Sequence, residues 1–218
     1  METGDRLTRE EFERRYDAMP QLKKAELIEG VVYVPSPVRF DRHAEQQADL
    51  ITWLGVYKVF TPGVRVGDNS AVRLDMGNEP QPDAVAIIDP THGGRARIGN
   101  DGYLEEGAEF VGEVAASSVS IDLNAKLVVY QRNRVQEYLV WRVLDLAVDW
   151  FALRGQRYER LPLTATGVYT SEAFPGLWLA PAALVRGDLA VVHQVLQQGL
   201  ASPEHAAFVE RLRAAGGV

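Results

Sequence analysis

Two short, almost unbroken apolar runs limit what this chain can fold into: Ala84-Val85-Ala86-Ile87-Ile88 and Phe110-Val111-Gly112-Glu113-Val114-Ala115. Apolar runs of this length, without alternation, read as central strands covered on both faces. Strands of that kind need helices above and below, which points to an α/β (α+β) fold with a central mixed β-sheet flanked by helices. Each run also carries a carboxylate. Asp83 stands at the start of the first, after Pro82, and Glu113 lies inside the second. An ionisable group inside an apolar strand must be paired, so Glu113 demands a partner.

The flanking segments supply the covering layers. Thr8-Arg9-Glu10-Glu11 is a capping box that opens a helix to about Tyr16. Ala25 to Glu29 and Val31 to Val34 read as two short strands around Gly30, closed by Pro35-Ser36-Pro37. A helical period runs from Asp41 to about Lys58, with His43, Gln47, Leu50 and Leu54 on one face. Val64 to Val66 and Ala71 to Leu74 are short strand candidates, and Thr91 to Gly107, with five glycines, is expected to be a mobile loop. Ser120 is expected to cap a helix from Ile121 to about Arg132. Glu137 to Val143, Val148 to Leu153 and Arg157 to Leu163 then form a meander, turning at Arg154-Gly155-Gln156. Phe174 to Leu179 reads as a last edge segment, followed by helices over Asp188 to Gln198 and Pro203 to Ala214. With no internal repeat and no linker, the expected organisation is one domain over 1–180. A helical extension over 181–218 packs on or beside it and offers a dimer surface.

Composition narrows the chemistry. The chain has no Cys and four His, which excludes thiol catalysis and disulfides and disfavours a zinc cage. Oxygen ligands for Mg2+ or Mn2+ remain open. A formal charge of -7 argues against broad non-specific nucleic-acid binding, though not against a small basic cleft. No apolar run approaches membrane-spanning length and the start of the chain lacks a signal-like pattern, so a cytoplasmic location is expected.

If the two apolar strands are neighbours, Asp83 and Glu113 can approach one cation, with the carbonyl of Val114 or Ala115 as a further ligand. Lys126 can orient water or stabilise phosphate charge, and Asp122, four residues earlier, can hold the lysine. His43 is an even choice between a helix-terminal residue and a contributor to the site. His92, His193 and His205 read as surface residues, and Glu29 as a solvated turn residue. Arg132, Arg134 and Arg142 can contact phosphate, although an exposed meander would carry such charges anyway. The purely structural explanation of Glu113 is an ion pair with Lys126.

These residues together resemble a known family. Pro82-Asp83, then Glu113-Val114-Ala115, then a lysine on the following helix look like the PD-(D/E)XK nuclease core, with Lys126 in place of the usual lysine two residues after the glutamate. More narrowly, the chain resembles the bacterial Uma-two family of endonucleases with a restriction-endonuclease-like fold. The pieces are Glu26-Leu27-Ile28-Glu29-Gly30, Pro35-Ser36-Pro37, His43, Gln81-Pro82-Asp83, Glu113-Val114, Asp122 to Lys126, Tyr130 and Val135-Gln136-Glu137-Tyr138. They span about Leu7 to Leu179. The resemblance implies Mg2+- or Mn2+-dependent hydrolysis of nucleic-acid phosphodiesters, with DNA the expected substrate. It makes Asp83, Glu113 and Val114 metal ligands, and Asp83, Glu113, Lys126 and His43 catalytic. The chain departs from the family where Ala115-Ala116-Ser117-Ser118 replaces a segment close to Leu-Ser-Pro-Ser. The alternative is a catalytically inactive protein of the same fold that binds or assembles, which the acidic charge favours.

Overall fold

The computed structural model describes residues 1–35 and 40–217. Helix α1 (Arg9–Asp17) starts at Thr8, whose side chain accepts from the Glu11 amide. The reciprocal half of the capping box is missing, because the Glu11 carboxylate is taken by Arg14 and Arg15. Strands β1 (Glu26–Ile28) and β2 (Val31–Tyr33) form a hairpin. Glu29 and Gly30 both have positive φ, as a primed two-residue turn requires. Of the segment expected to close the hairpin, Ser36 and Pro37 lie outside the described residues.

A turn of 3-10 helix (Phe40–Arg42) leads into α2 (Ala44–Phe60). Strands β3 (Val64–Asp68), β4 (Val72–Arg73) and β5 (Ala84–Ile88) follow. Then come β6 (Arg97–Ile98), β7 (Leu104–Glu105) and β8 (Phe110–Ala115). A π-helix (Ile121–Lys126) runs into α3 (Leu127–Arg132). Strands β9 (Glu137–Arg142), β10 (Ala147–Arg154) and β11 (Arg157–Arg160) make the meander. The chain ends with β12 (Tyr169–Thr170), β13 (Trp178–Leu179), α4 (Pro181–Leu184), α5 (Leu189–Leu200) and α6 (Pro203–Gly216).

The described residues build a six-stranded mixed sheet in the order β11-β10-β9-β8-β5-β3. Only the β8–β9 pair is parallel, and the π-helix and α3 form its crossover. The two apolar runs are therefore central neighbours. On one face, Leu50, Trp53, Leu54 and Tyr57 of α2 pack on Ala84, Ala86, Phe110 and Val114. Gly112 lets α2 approach, since a Cβ there would meet Leu50 Cδ2 at 3.0 Å. On the other face, Val85, Ile87, Val111 and Ala115 pack with Tyr130 and Tyr138 under the crossover helix.

Some expectations need correcting. The stretch from Thr91 to Gly107 is ordered, holding β6 and β7, which join β4 in a three-stranded sheet. Such two-residue strands have no periodicity to detect. Ser120 makes no capping bond; the Ser118 carbonyl accepts from Ile121 and Asp122 instead. The edge segment Trp178–Leu179 pairs with Tyr169–Thr170 rather than with the main sheet. His205 is buried, its Nε2 2.9 Å from Thr61 Oγ1 and its Nδ1 2.9 Å from the Leu200 carbonyl. The tail helices bury Val192, Leu196, Phe208 and Leu212 in the same core as α2, so the apolar face proposed as a dimer surface is covered within the chain.

Glu137 at the start of β9 shows how this core tolerates an acid. Ser171 Oγ donates to it at 2.7 Å, and the Glu172 and Ala173 amides at 2.6 and 3.0 Å. Burial still pushes its carboxyl up to about 7. The folded state then keeps a proton that the unfolded chain, titrating near 4.3, releases. Its contribution to stability is full below that value and is lost as pH rises towards about 7. Thermal melting should therefore fall between pH 5 and pH 8, and Glu137→Gln should flatten the slope. An unchanged slope would contradict this reading of Glu137.

Candidate active site on one face of the sheet

The strand register assembles the acids. Residues Ala84, Val85 and Ala86 pair antiparallel with Gly112, Val111 and Phe110. One further step sets Asp83 across from Glu113. Side chains alternate along a strand, so Asp83 and Glu113 share the face of Val85, Val111 and Ala115, beneath the crossover helix. Asp83 Oδ2 accepts from the Val114 amide at 2.9 Å, which fixes the carboxylate against β8. The N–H and C=O of one strand residue point to the same side, so the Val114 carbonyl faces the Asp83 side. The Ala115 carbonyl is occupied by the Val143 amide.

The hairpin brings a third acid. Leu27 bridges Glu79, and the Gln81 amide donates to Glu26 Oε1 at 2.7 Å, tying β1 to the segment before Asp83. Lys24 on the same segment reaches Asp83 Oδ1 at 3.2 Å. His43, at the N-cap of α2, places Nε2 3.2 Å from Asp83 Oδ2 and leaves a buried Nδ1 without a partner. His43 thus contacts Asp83.

The fourth acid and the central cation come from the π-helix. Lys126 is buried, its Nζ 2.9 Å from both Glu113 Oε1 and Glu26 Oε1, and 3.6 Å from Asp122 Oδ1. Tyr130, one turn on, donates to Glu113 Oε1 at 3.0 Å. Both carboxylate oxygens of Asp122 are buried without a hydrogen-bond partner. Such wide π-turns within helices are found frequently at functional sites.

The electrostatics divide the acids. Burial would raise Asp83, but the His43 hydrogen bond and the Lys24 charge hold it down at about 2. Burial drives Glu113 well above the usual carboxylate range, against the pull of Lys126. Burial raises Asp122 as well. For Lys126 burial works against the charge, yet the surrounding carboxylates outweigh it and raise the amine well above its ordinary value. The Tyr130 phenol is raised by burial and keeps its proton, as its bond to Glu113 requires.

Four carboxyls (Glu26, Asp83, Glu113, Asp122) therefore face two ammonium groups (Lys24, Lys126). Among the described residues, no three His, Asp or Glu side chains are arranged as a ready metal cage. The donor set is nevertheless all oxygen, and the buried carboxylate of Asp122, no nearer than 3.6 Å to the shared Lys126 ammonium, has oxygens that a cation would satisfy better. These residues fit a hard divalent ion. The sequence reading missed Glu26 and Lys24 as members of this group, and took Glu29 for a solvated turn residue. Glu29 lies on the turn, paired with Arg132. The available signal was the one used for Glu113, an acid among apolar neighbours, here Ala25, Leu27 and Ile28.

A family model described as "Uma2: Putative restriction endonuclease" matches residues 9–182. No curated protein matches the chain. A solved structure from Anabaena variabilis ATCC 29413, described as a putative nuclease belonging to DUF820, superposes with a TM-score of 0.52 at 13% identity. The match covers 78% of this chain and 97% of that one, and shows a shared fold. The tail from Ala183 onward falls outside the family match.

Proposed function

The chain belongs to the Uma2 family, described as putative restriction endonucleases, and from this premise we propose that it hydrolyses nucleic-acid phosphodiester bonds with Mg2+ or Mn2+, acting on DNA. The observation that supports this best is the excess of buried carboxyls over lysines on one sheet face, with Asp122 only loosely paired to Lys126 at 3.6 Å. Asp83, Glu113 and the Val114 carbonyl would hold the cation, with Asp122 and Glu26 close by. Bound there, a divalent cation supplies Lewis-acid polarisation of the phosphate and an acidified water.

The chain's own residues have definable tasks. His43 and Lys24 keep Asp83 ionised and pointed at β8. Tyr130 fixes Glu113 through Oε1. Lys126 places a permanent positive charge at the edge of Glu113, suited to stabilise the charge that develops on phosphate oxygens. A second reading, a silent binding protein of this fold, draws its support from the closed Glu26–Lys126–Glu113 arrangement, which is complete as a structural ion pair. Incubation with supercoiled plasmid and with single-stranded DNA, in EDTA, Mg2+ and Mn2+, separates the two. Nicking that needs the cation supports the nuclease. Intact substrates in every condition support the silent protein.

A further inference from the structure

A cleft of about 420 Å3 lies at the other end of the crossover helix, lined by Arg95, Arg134, Gln136, Glu137, Gly155 and Glu172 among others. Its acids are satisfied and its bases are not. Glu137 is held by Ser171 and two backbone amides, and Glu172 by Arg154 at 2.5 Å. The guanidinium groups of Arg95 and Arg134 have no carboxylate partner among the described residues, although those of most arginines of this acidic chain do; the Arg95 backbone amide donates to Glu109 Oε1 at 3.0 Å. Arg95 donates to the Arg134 carbonyl at 3.3 Å, which holds the two residues together. Arg134 has a φ of +59, so the turn after α3 that carries it is a defined conformation. Gln136 adds an amide donor at the rim.

We propose that this cleft is a phosphate-binding subsite, with Arg95 and Arg134 as the anion-holding groups. Two guanidinium forks with free N–H donors in a concave, polar pocket are suited to a phosphate group. Arg134 follows Lys126 by eight residues of helix and turn, about 12 Å at 1.5 Å per residue. Along the strands Phe110 pairs with Glu137 and Glu113 with Val140, three residues or about 10 Å further on, with Glu137 facing the opposite side of the sheet from Glu113. The cleft therefore sits at the end of the sheet, and a path from it to the acidic site rounds that end.

The test is calorimetric titration of the full chain with inorganic phosphate at low salt. The comparison is with the double variant Arg95→Gln/Arg134→Gln and the control Arg157→Gln, another arginine without an acidic partner. The wild type and the control should bind phosphate saturably, and the double variant at least tenfold more weakly. Because the exchanged side chains are exposed, melting should stay close to wild type. If the double variant does not fold, Arg134→Gln alone is read by the same criterion. No saturable binding by the wild type, or undiminished binding by the variant, overturns the proposal. A short single-stranded oligonucleotide in EDTA identifies the source. Displacement of phosphate, with a shallower salt dependence in the variant, assigns the subsite to a nucleic-acid backbone. Failure to displace assigns it to a free phosphate-bearing small molecule. No cleavage is needed, so this result stands apart from the nuclease reading.

Discussion

Lys126→Met is expected to leave a protein that barely folds at neutral pH. Methionine matches the stem of lysine but removes the charge shared by Glu26, Glu113 and Asp122. Breaking a buried ion pair from one side costs about 3–5 kcal/mol, a large part of the 5–15 kcal/mol that holds an ordinary domain together. The pH dependence identifies the cause. Glu113 and Asp122 are already raised by burial, and removing Lys126 raises them further. Raised carboxyls stabilise the fold below their unfolded values, and that contribution is lost as pH rises. The deficit in denaturant melts should therefore be large at pH 8 and shrink towards pH 5. A deficit independent of pH would mean that lost packing, not uncompensated charge, is responsible.

Asp83→Asn should act in the opposite way, keeping the fold and losing the activity. The Asn oxygen can still accept from the Val114 amide, while the negative charge facing Lys24 and His43 is gone. Asp83 is held at about 2, so its charge stabilises the fold above about pH 4 and is lost as pH falls towards 2. At neutral pH the variant should lose about 2 kcal/mol of stability. Cation-dependent cleavage should fall by about a thousandfold, equivalent to about 4 kcal/mol at the transition state. Cleavage by a folded Asp83→Asn protein at the wild-type rate would remove Asp83 from the site.

Much of this arrangement is legible in the chain itself. The unbroken apolar runs identify the central strands, and their period of two sets Asp83 and Glu113 on one face once the strands are neighbours. The helical period of Asp41 to Lys58 locates α2 to within two residues at its end. Harder to read are contacts made by very short elements. β1 has three residues, and its approach to Asp83 depends on a few isolated bonds from one hairpin to the segment 77–81, so Glu26 gave no periodic signal. The same holds for β6 and β7, where the glycines between them, Gly99 and Gly102, suggested mobility but form the connecting turn. His205 was misread because its burial depends on Thr61, far away in sequence, and on the Leu200 carbonyl, which together satisfy its ring nitrogens. The π-turn at Ile121–Lys126 has no propensity signature, yet it carries both Asp122 and Lys126 into the cluster.

The central claim is that the acidic face, with two more carboxyls than lysines, holds a divalent cation. Calorimetric titration of the wild type and of Asp83→Asn with Mn2+ at pH 7.5 tests it most directly. Saturable binding by the wild type that is lost or greatly weakened in Asp83→Asn is the predicted result. Absence of saturable binding to a folded wild type, or equal binding by both proteins, would contradict it.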